Sequence, residues 1–503
     1  MKRWSWLLLA ALAAAPAIAA DKKKEDKKAK EAPAVQAPAQ DAVKDAEAKL
    51  AAGDADAAIS VLEKAMGTDG TAALRLGRLR EARGELDLAV DAYKAAAATL
   101  TGPGKGEALG RLAVVQDTRG MADAAANAEA AVAADAEGVW PTIAMAYRRA
   151  HEGKADEAVA LAQKAVATGG GAAATAALAH AQEAKGDMAA AEASYRQAIA
   201  ADPAVLGPVV GLATVLRETG RAAEAEPMLK KVIDSSPGAV EAYKEMARVK
   251  IALGRSQEAL SDANLAAAMA ENDAEAKQLV VEVRVARSLQ DLGAGQTDLA
   301  VQDLTQLRDQ NPDSAAVRLG LGRAQIARRD AAAALAELQK AVELDPKNAE
   351  AQYQLGYVQH VMKQAAAAAV PPYEKAVALE PDNTLFRTSL GAALMDAGQA
   401  DRAVEELTKV TGTEGYAGAQ AWFYLGAAQL KASRFKEAAA ALEKSLAVKP
   451  DNAQAEAFLA WSYFGLKDAA NFKTHGAKAR GLGHKEPALF DRLAKVEAGQ
   501  AIK

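Results

Sequence analysis

Proline and glycine recur along this chain at a spacing close to 34 residues, and this recurrence restricts the fold more than any other feature. Pro203 and Pro237 are 34 residues apart, and Pro312 and Pro346 repeat the same interval. Glycines extend the spacing towards the N-terminus, at Gly53, Gly84, Gly120, Gly153, Gly186, Gly220, Gly254 and Gly295. A fixed period of about 20 to 50 residues is typical of repeat arrays, in which each unit packs only on its neighbours. The sequence therefore predicts one elongated array in place of several globular domains.

The clearest repeat runs from residue 420 to 450, with the sequence QAWFYLGAAQLKASRFKEAAAALEKSLAVKP. Two small residues, Gly426 and Ala438, stand where a pair of antiparallel helices must approach closely. Large residues that can fill the space beside them are Trp422, Leu425, Phe435 and Leu442. Pro450 cannot continue the second helix and therefore ends it. The stretch predicts a helix–turn–helix unit with its turn at residues 432–434.

This helix–turn–helix pattern resembles the tetratricopeptide repeat, or TPR. The resemblance implies an all-α fold, a right-handed superhelical solenoid of about 12 to 13 such units closed by a C-terminal capping helix. Composition agrees, because hydrophobic residues make up 51% of the chain and aromatic residues only 4%. Alanine supplies most of the apolar fraction, and alanine has the highest helix propensity.

The repeat boundaries divide the chain into six segments. Residues 1–20 are predicted to be a signal peptide, and 21–40 a disordered tether rich in lysine, alanine and proline. An N-terminal array at 41–272 precedes a unit at 273–313, whose first helix is longer by about two turns. A C-terminal array at 314–484 and a capping helix with tail at 485–503 complete the chain. In that array, Ser314, Asn348, Asn383 and Asn452 are predicted to cap successive first helices. Within second helices, Pro227 predicts a kink or a delayed start. In the tenth unit, Pro371-Pro372 and a one-residue insertion after Met362 predict a broken helix or a bulged turn.

The N-terminal segment has the features of an export signal. Lys2 and Arg3 precede an apolar run, and Ala17-Ile18-Ala19 supplies the small residues that a signal peptidase requires. Cleavage is expected after Ala19 or Ala20, which would make the mature protein periplasmic or otherwise exported, with no stable membrane span. The alternative is an uncleaved signal that anchors the chain in the inner membrane, because the run is only slightly shorter than a bilayer span.

Several classes of function find no support in the sequence. Cysteine is absent, and the five histidines lack the paired spacing of metal ligands or of a metalloprotease helix. The formal net charge of −5 gives no clustered basic surface for nucleic acid. No motif supports catalysis, so we expect a protein that is not an enzyme and that has no metal site, no cofactor and no nucleic-acid partner.

The TPR resemblance places partner binding on the concave face, at the second, fifth, ninth and twelfth positions of each unit. In the C-terminal units these positions select Tyr353, Tyr357, His360, Met395, Gln420, Phe423, Leu430, Phe458, Trp461 and Phe464. Aromatic side chains on a groove wall favour an apolar or extended peptide. Earlier units carry a more polar set at the ninth position, namely Arg78, Tyr147, His180, Thr214, Arg248 and Arg323. The alternative for Phe458 and Phe464 is that they pack against the next repeat or under the terminal helix.

These expectations converge on a non-catalytic scaffold of the bacterial cell envelope that binds partner proteins or extended peptides. The resemblance suggests a component of a multiprotein machine for secretion, pilus assembly or gliding motility. The alternative is a polysaccharide-binding or exopolysaccharide-export protein, in which the aromatic side chains meet sugar rings. The sequence leaves the oligomeric state open.

Overall fold

The computed structural model describes residues 39–502, and every regular element in that range is helical. The predicted signal peptide and tether residues 21–38 lie outside the described residues. The helices are α1 (Ala39–Ala51), α2 (Ala55–Ala65), α3 (Gly70–Ala82), α4 (Leu86–Thr99), α5 (Gly102–Thr118), α6 (Ala124–Ala134), α7 (Val139–His151), α8 (Ala155–Ala167), α9 (Gly171–Ala184), α10 (Met188–Ala201), α11 (Gly207–Glu218), α12 (Ala222–Ser235), α13 (Val240–Ala252), α14 (Ser256–Met269), α15 (Ala274–Gly293), α16 (Thr297–Gln310), α17 (Ala315–Ala327), α18 (Ala331–Leu344), α19 (Ala349–Tyr357), α20 (Ala366–Leu379), α21 (Thr384–Asp396), α22 (Ala400–Thr411), α23 (Ala419–Lys431), α24 (Phe435–Val448), α25 (Ala453–Gly465), α26 (Ala469–Gly481) and α27 (Pro487–Glu497).

Helices α1 to α26 form consecutive pairs, and each pair packs on the pairs before and after it. The last helix, α27, covers the apolar face that the final pair would otherwise expose: Leu489 and Leu493 are buried against Phe472 and Ala479. The predicted all-α repeat architecture is therefore confirmed. None of the helices between residues 39 and 502 has the length and hydrophobicity that a bilayer-spanning segment needs.

One contact fixes how closely the two helices of a pair approach. In α23 and α24, a methyl group added at Gly426 would lie 2.5 Å from Cγ of Leu442, sixteen residues later. The same sixteen-residue relation joins Gly322 to Leu338. Each glycine lacks a side chain where the larger leucine of the second helix must fit, and core packing tolerates no further volume there.

The tenth pair contains one extra residue and still preserves this packing. Gly356 faces Tyr373, seventeen residues later, and an added methyl group at Gly356 would lie 2.7 Å from the tyrosine ring. The extra residue is absorbed by a π-helical turn, Val358–Met362, that continues α19. In this turn the Lys363 N–H donates a 3.0 Å hydrogen bond to the Val358 carbonyl oxygen, five residues earlier. Insertions of this size commonly produce such bulges.

Proline changes the second helices less than the sequence predicts. The expected delayed start at Pro227 is wrong, because α12 begins at Ala222 and continues to Ser235. In the tenth unit the expected broken helix is wrong, because α20 is continuous through Pro371 and Pro372. The alternative, a bulged turn, is present next to the inserted residue, as the π-helical turn Val358–Met362 of the preceding helix. Pro227 and Pro371 are exposed to solvent, so the carbonyl groups that lose an amide partner can bond to water.

The predicted caps and turns are present. The side chains of Ser314, Asn348, Asn383 and Asn452 each accept a hydrogen bond from a backbone amide in the first turn of the helix that follows. All eight glycines of the N-terminal series have positive φ. These positions end the first helix of each pair in a conformation that glycine adopts without steric penalty.

The first repeats curve far enough to contact each other across a superhelical turn. Gly84, in the turn after α3, meets Ala239 at the start of α13, and an added methyl group would lie 2.7 Å from Cα of Ala239. A second contact joins Arg119 to Asp273 at 3.5 Å, across 154 positions of sequence. The two contacts join residues 155 and 154 positions apart in the sequence. At about 34 residues per repeat, one superhelical turn here contains about four and a half repeats.

A buried lysine anchors this closure. The Lys244 side chain has no solvent exposure, and its Nζ lies 2.9 Å from Glu241, 3.3 Å from Asp273 and 2.5 Å from Glu275. Burial alone would lower the pKa of Lys244, but Glu241 and Glu275 outweigh it and raise the pKa. The cluster joins α13 to the N-terminus of α15, where Asp273 also accepts hydrogen bonds from two backbone amides.

Filling the space opposite Leu442 should loosen the twelfth pair. We expect Gly426→Ala to destabilise α23 and α24 by about 1–3 kcal/mol, because the added methyl group overpacks the core. The matched control is Gly481→Ala, at a position where an added methyl group meets nothing within 4 Å. Hydrogen–deuterium exchange of residues 419–448 measures the local effect; unchanged protection in Gly426→Ala would contradict the packing argument.

Removing the buried cation should open the superhelical turn. Lys244→Met keeps the apolar stem but leaves three carboxylates without their shared partner, so we expect a loss of about 3–5 kcal/mol. Lys230→Met is the control, because the Lys230 ion pair with Asp234 is exposed and contributes under about 1 kcal/mol. Hydrogen exchange of α13 and α15 reports the difference, and equal protection in the two variants would show that the cluster is dispensable.

Candidate functional site

Three of the predicted concave residues, Tyr353, Phe423 and Phe458, lie in pairs of stacked rings. Phe423 and Phe458, on neighbouring first helices, stack with ring centroids 5.6 Å apart and planes 9° from parallel. Tyr353 stacks in the same way on Phe386, at 4.8 Å. All four rings stand on first helices, and each stack joins one repeat to the next. Tyr353, Phe423 and Phe458 stay partly exposed, so their outer faces remain available.

Three predicted residues come together around one open cleft. Leu430, Trp461 and Phe464 line a space of about 400 Å³ with Phe435, Gly465 and Lys467. The terminal helix segment orients two of them: Nε1 of Trp461 donates a 2.9 Å hydrogen bond to Glu486, and the guanidinium of Arg492 lies 5.3 Å from the Phe464 ring. We call this surface, with the Phe423–Phe458 stack beside it, the aromatic cleft.

The other predicted residues lie apart from this cleft. Met395 is only 7% exposed and belongs to the core between repeats, so it offers no side chain to a partner. His360 lies in the π-helical turn, with Nε2 3.0 Å from a carboxylate oxygen of Asp396. Tyr357 is half-buried, and Gln420 is exposed at the start of α23.

A second space lies inside the superhelical turn made by the first repeats. It measures about 510 Å³ and is lined mainly by the first helices α3, α5, α7, α9, α11 and α13. We call it the N-terminal cavity. Four of the six polar ninth-position residues, Arg78, Tyr147, His180 and Thr214, line it, and Arg248 and Arg323 do not. The sequence pattern does not show that the four surround one space, because that space forms only where distant repeats come into contact.

The cations of the N-terminal cavity are already paired. Arg78 forms an ion pair with Glu107. Arg111 lies 3.0 Å from Glu81 and 2.8 Å from Glu107, and its guanidinium stacks 3.7 Å above the Trp140 ring. Burial acts to lower the pKa of Arg111, but the carboxylate partners dominate and raise it. These arginines are therefore held in place as part of the wall.

Aromatic rings from two repeats stack on the part of the cavity wall that α7 and α9 form. Tyr147 and His180 stack with centroids 4.7 Å apart, and His151 lies 5.6 Å from His180. Burial, with the neighbouring His151, lowers the pKa of His180 to about 4, so the imidazole is neutral at pH 7. Within residues 39–502, the buried Nε2 of His180 has no hydrogen-bond partner.

Glu183 completes this wall. One of its oxygens accepts a 2.8 Å hydrogen bond from the Tyr195 hydroxyl. Burial raises the pKa of Glu183 above its ordinary value. Arg217 acts on it only from a distance, because that guanidinium is bonded to Glu245 at 2.7 Å. Glu183 thus forms no ion pair within the described part of the chain.

The two spaces offer different groups to a ligand. Across residues 39–502, no three histidine or acidic side chains are placed to hold a metal ion. The aromatic cleft supplies apolar surface, and the N-terminal cavity supplies rings and a carboxylate. Both arrangements suit recognition of a partner's side chains.

Comparison of the sequence with family models identifies the repeat. Models described as "Tetratricopeptide repeat" match residues 173–205, 216–282, 291–355 and 388–457. None of the curated proteins is similar enough in sequence to count as a relative.

Solved structures with similar folds include three repeat proteins of different length. Cut9 in the APC/C hetero-tetramer Cut9–Hcn1 is 12% identical, with TM-score 0.41, over 92% of this chain and 96% of that chain. YrrB, described as a TPR protein with an unusual peptide-binding site, is 21% identical, with TM-score 0.34, over 38% and 96%. MamA from Desulfovibrio magneticus RS-1 is 20% identical, with TM-score 0.30, over 37% and 96%. Identities and TM-scores this low carry no functional inference.

The residues matched by the family models agree with the helix pairs of the structure. The matched segments fall on helix pairs, the first helices carry glycine where the second helices carry leucine or tyrosine, and a terminal helix covers the last pair. The chain therefore belongs to the tetratricopeptide-repeat family, a family of non-catalytic scaffolds for protein interaction.

Proposed function

We propose that this protein is a scaffold of the bacterial cell envelope that holds extended segments of partner proteins along its concave face. The observation that carries this proposal is the aromatic cleft. Leu430, Trp461 and Phe464 surround a space of about 400 Å³ and keep part of their surface exposed. Large, rigid aromatic side chains contribute contact area with little loss of conformational entropy when a partner binds.

The side chains that line the cleft favour a peptide. Its lining is chiefly apolar, with one charged group, Lys467, at its edge. This combination of an apolar centre and a polar rim is typical of protein-interaction hot spots. Sugar rings also stack on aromatic side chains, so a polysaccharide partner is the alternative that the experiment must separate.

Placement in the envelope rests on the N-terminal segment of the sequence. The basic residues Lys2 and Arg3, the apolar run and the small residues at 17–19 together form the pattern of a secretory signal. A scaffold exported in this way would meet partners in the periplasm, where secretion, pilus and motility machines assemble.

Truncating two side chains of the aromatic cleft should strongly weaken partner capture. We expect Leu430→Ala with Trp461→Ala to weaken capture from envelope extracts at least tenfold, because each buried hot-spot side chain contributes about 1–2 kcal/mol or more. The bound proteins are identified by crosslinking and mass spectrometry, and glycanase treatment of the extract tests the alternative. Capture that disappears with glycanase would favour a polysaccharide partner and contradict the peptide proposal.

Two controls separate lost binding from lost folding. Leu299→Ala removes a similarly large exposed side chain from a second helix, and it should leave capture unchanged. Circular dichroism melting compares the variants, because Trp461→Ala also removes the hydrogen bond to Glu486. Equal capture by the cleft variant and by Leu299→Ala would refute a role for the cleft.

Signal cleavage provides a separate prediction. The mature protein recovered from the periplasm should begin at Ala20 or Asp21, because the peptidase recognises the small residues before these positions. N-terminal sequencing measures this directly. A mature chain that still contains Trp4 would support the membrane-anchored alternative.

A further inference from the structure

The N-terminal cavity has a chemistry that the aromatic cleft lacks. Four carboxylates and two guanidinium groups line it, so its wall has an excess of negative charge. The carboxylates are Glu81, Glu183, Asp202 and Glu241, and the guanidinium groups are Arg78 and Arg111. Both arginines are neutralised by carboxylates, including Glu107 outside the lining. Glu241 is paired with the buried Lys244, so Glu183 and Asp202 are the lining carboxylates that have no ion pair among the described residues.

Glu183 is the carboxylate best placed to receive a cation. Its hydrogen bond with the Tyr195 hydroxyl fixes one oxygen at 2.8 Å and leaves the other without an ion-pair partner in the described chain. A carboxylate in a partly dehydrated site is destabilised, which agrees with the raised pKa of Glu183. An incoming cation would relieve this unfavourable state.

The surrounding rings strengthen the case for a cation. Tyr147 and His180 stack beside Glu183, and the neutral imidazole of His180 has an unpartnered Nε2. Burial raises the pKa of Tyr147, and so do the nearby Glu183, Glu81 and Asp117 carboxylates. Aromatic faces attract ammonium and guanidinium groups, and the attraction grows where water is excluded.

We propose that the N-terminal cavity binds a lysine or arginine side chain of an extended peptide, with Glu183 as its counter-ion and Tyr147 and His180 as its aromatic wall. The proposal rests on the concave-face peptide binding described above and specifies the chemistry of a second site on that face. The cavity measures about 510 Å³ and is lined by residues of α3, α5, α7, α9, α11 and α13. This volume exceeds that of one lysine side chain, so it leaves room for peptide backbone that a free amine would not fill.

Isothermal titration with defined peptides tests the proposal on the full mature chain. The probes are N-acetylated, C-amidated Ala-Ala-Lys-Ala-Ala and the same peptide with norleucine in place of lysine, which matches the stem without the charge. We expect the lysine peptide to bind at least tenfold more tightly than the norleucine peptide. Glu183→Gln should remove that preference, because glutamine can still accept the Tyr195 bond but has no charge.

Matched variants make each outcome decisive. Glu224→Gln removes the same charge from the exposed surface of α12 and should leave binding unchanged. Thermal melting confirms that Glu183→Gln remains folded. Equal binding of the two peptides, no binding of the lysine peptide, or an undiminished preference in Glu183→Gln would each overturn the proposal. Binding of n-butylamine as tightly as the lysine peptide would identify a small-amine site and overturn the peptide assignment.

The result is separable from the test of the aromatic cleft. The Leu430→Ala and Trp461→Ala variant leaves the N-terminal cavity intact and should retain the preference for the lysine peptide. If partner capture depends on the cleft but the lysine peptide does not bind, only the cavity proposal fails. If the lysine peptide binds but capture is independent of the cleft, the proposed role of the cleft fails.

Discussion

The close approach of two helices within each repeat is the constraint on which the rest of this structure depends. Gly426 has no side chain where Leu442 must pack, and the same relation holds between Gly322 and Leu338. A larger residue at either glycine would push the second helix outward and change the angle to the next pair. Because each helix pair packs mainly on the pairs before and after it, small errors of angle would accumulate along the array. The shape of the concave face is therefore set by the smallest residues of the core.

The curvature of the N-terminal repeats then produces contacts and a cavity that no single repeat contains. In the N-terminal half, the array bends until Gly84 meets Ala239 and Arg119 reaches Asp273. The buried Lys244 holds the second contact by binding Asp273 and Glu275 at the start of α15, together with Glu241 on its own helix. A buried charge cluster of this kind favours one geometry, since its groups are satisfied only when the helices meet at the right distance. The N-terminal cavity is a consequence of this closure.

Sequence reasoning predicted the features that depend on neighbouring residues. The asparagine caps at Asn348 and Asn383, the turn glycines and the helix pairs all follow from local hydrogen bonding and period, and all are present. It failed where tertiary packing decides. Pro227 lies inside an uninterrupted helix because it faces solvent, and Met395 occupies a predicted concave position yet is buried by the next repeat. The enclosed cavity was beyond its reach, because a 34-residue pattern encodes nearest-neighbour contacts and not a contact across 154 positions.

The two proposed binding surfaces would make different demands on a partner, because they differ in how much water they exclude. At the open C-terminal end, Trp461 and Phe464 offer apolar area, which would attract many sequences with little discrimination. In the enclosed N-terminal turn, a charge interacts more strongly because the effective dielectric constant is lower, and a wrong charge is correspondingly unfavourable. A partner that engages both ends would gain affinity at the first and specificity at the second. Equivalent repeat positions can provide either affinity or specificity. The packing of the first helices fixes the position of each side chain, while the residue type at that position can differ from one repeat to the next.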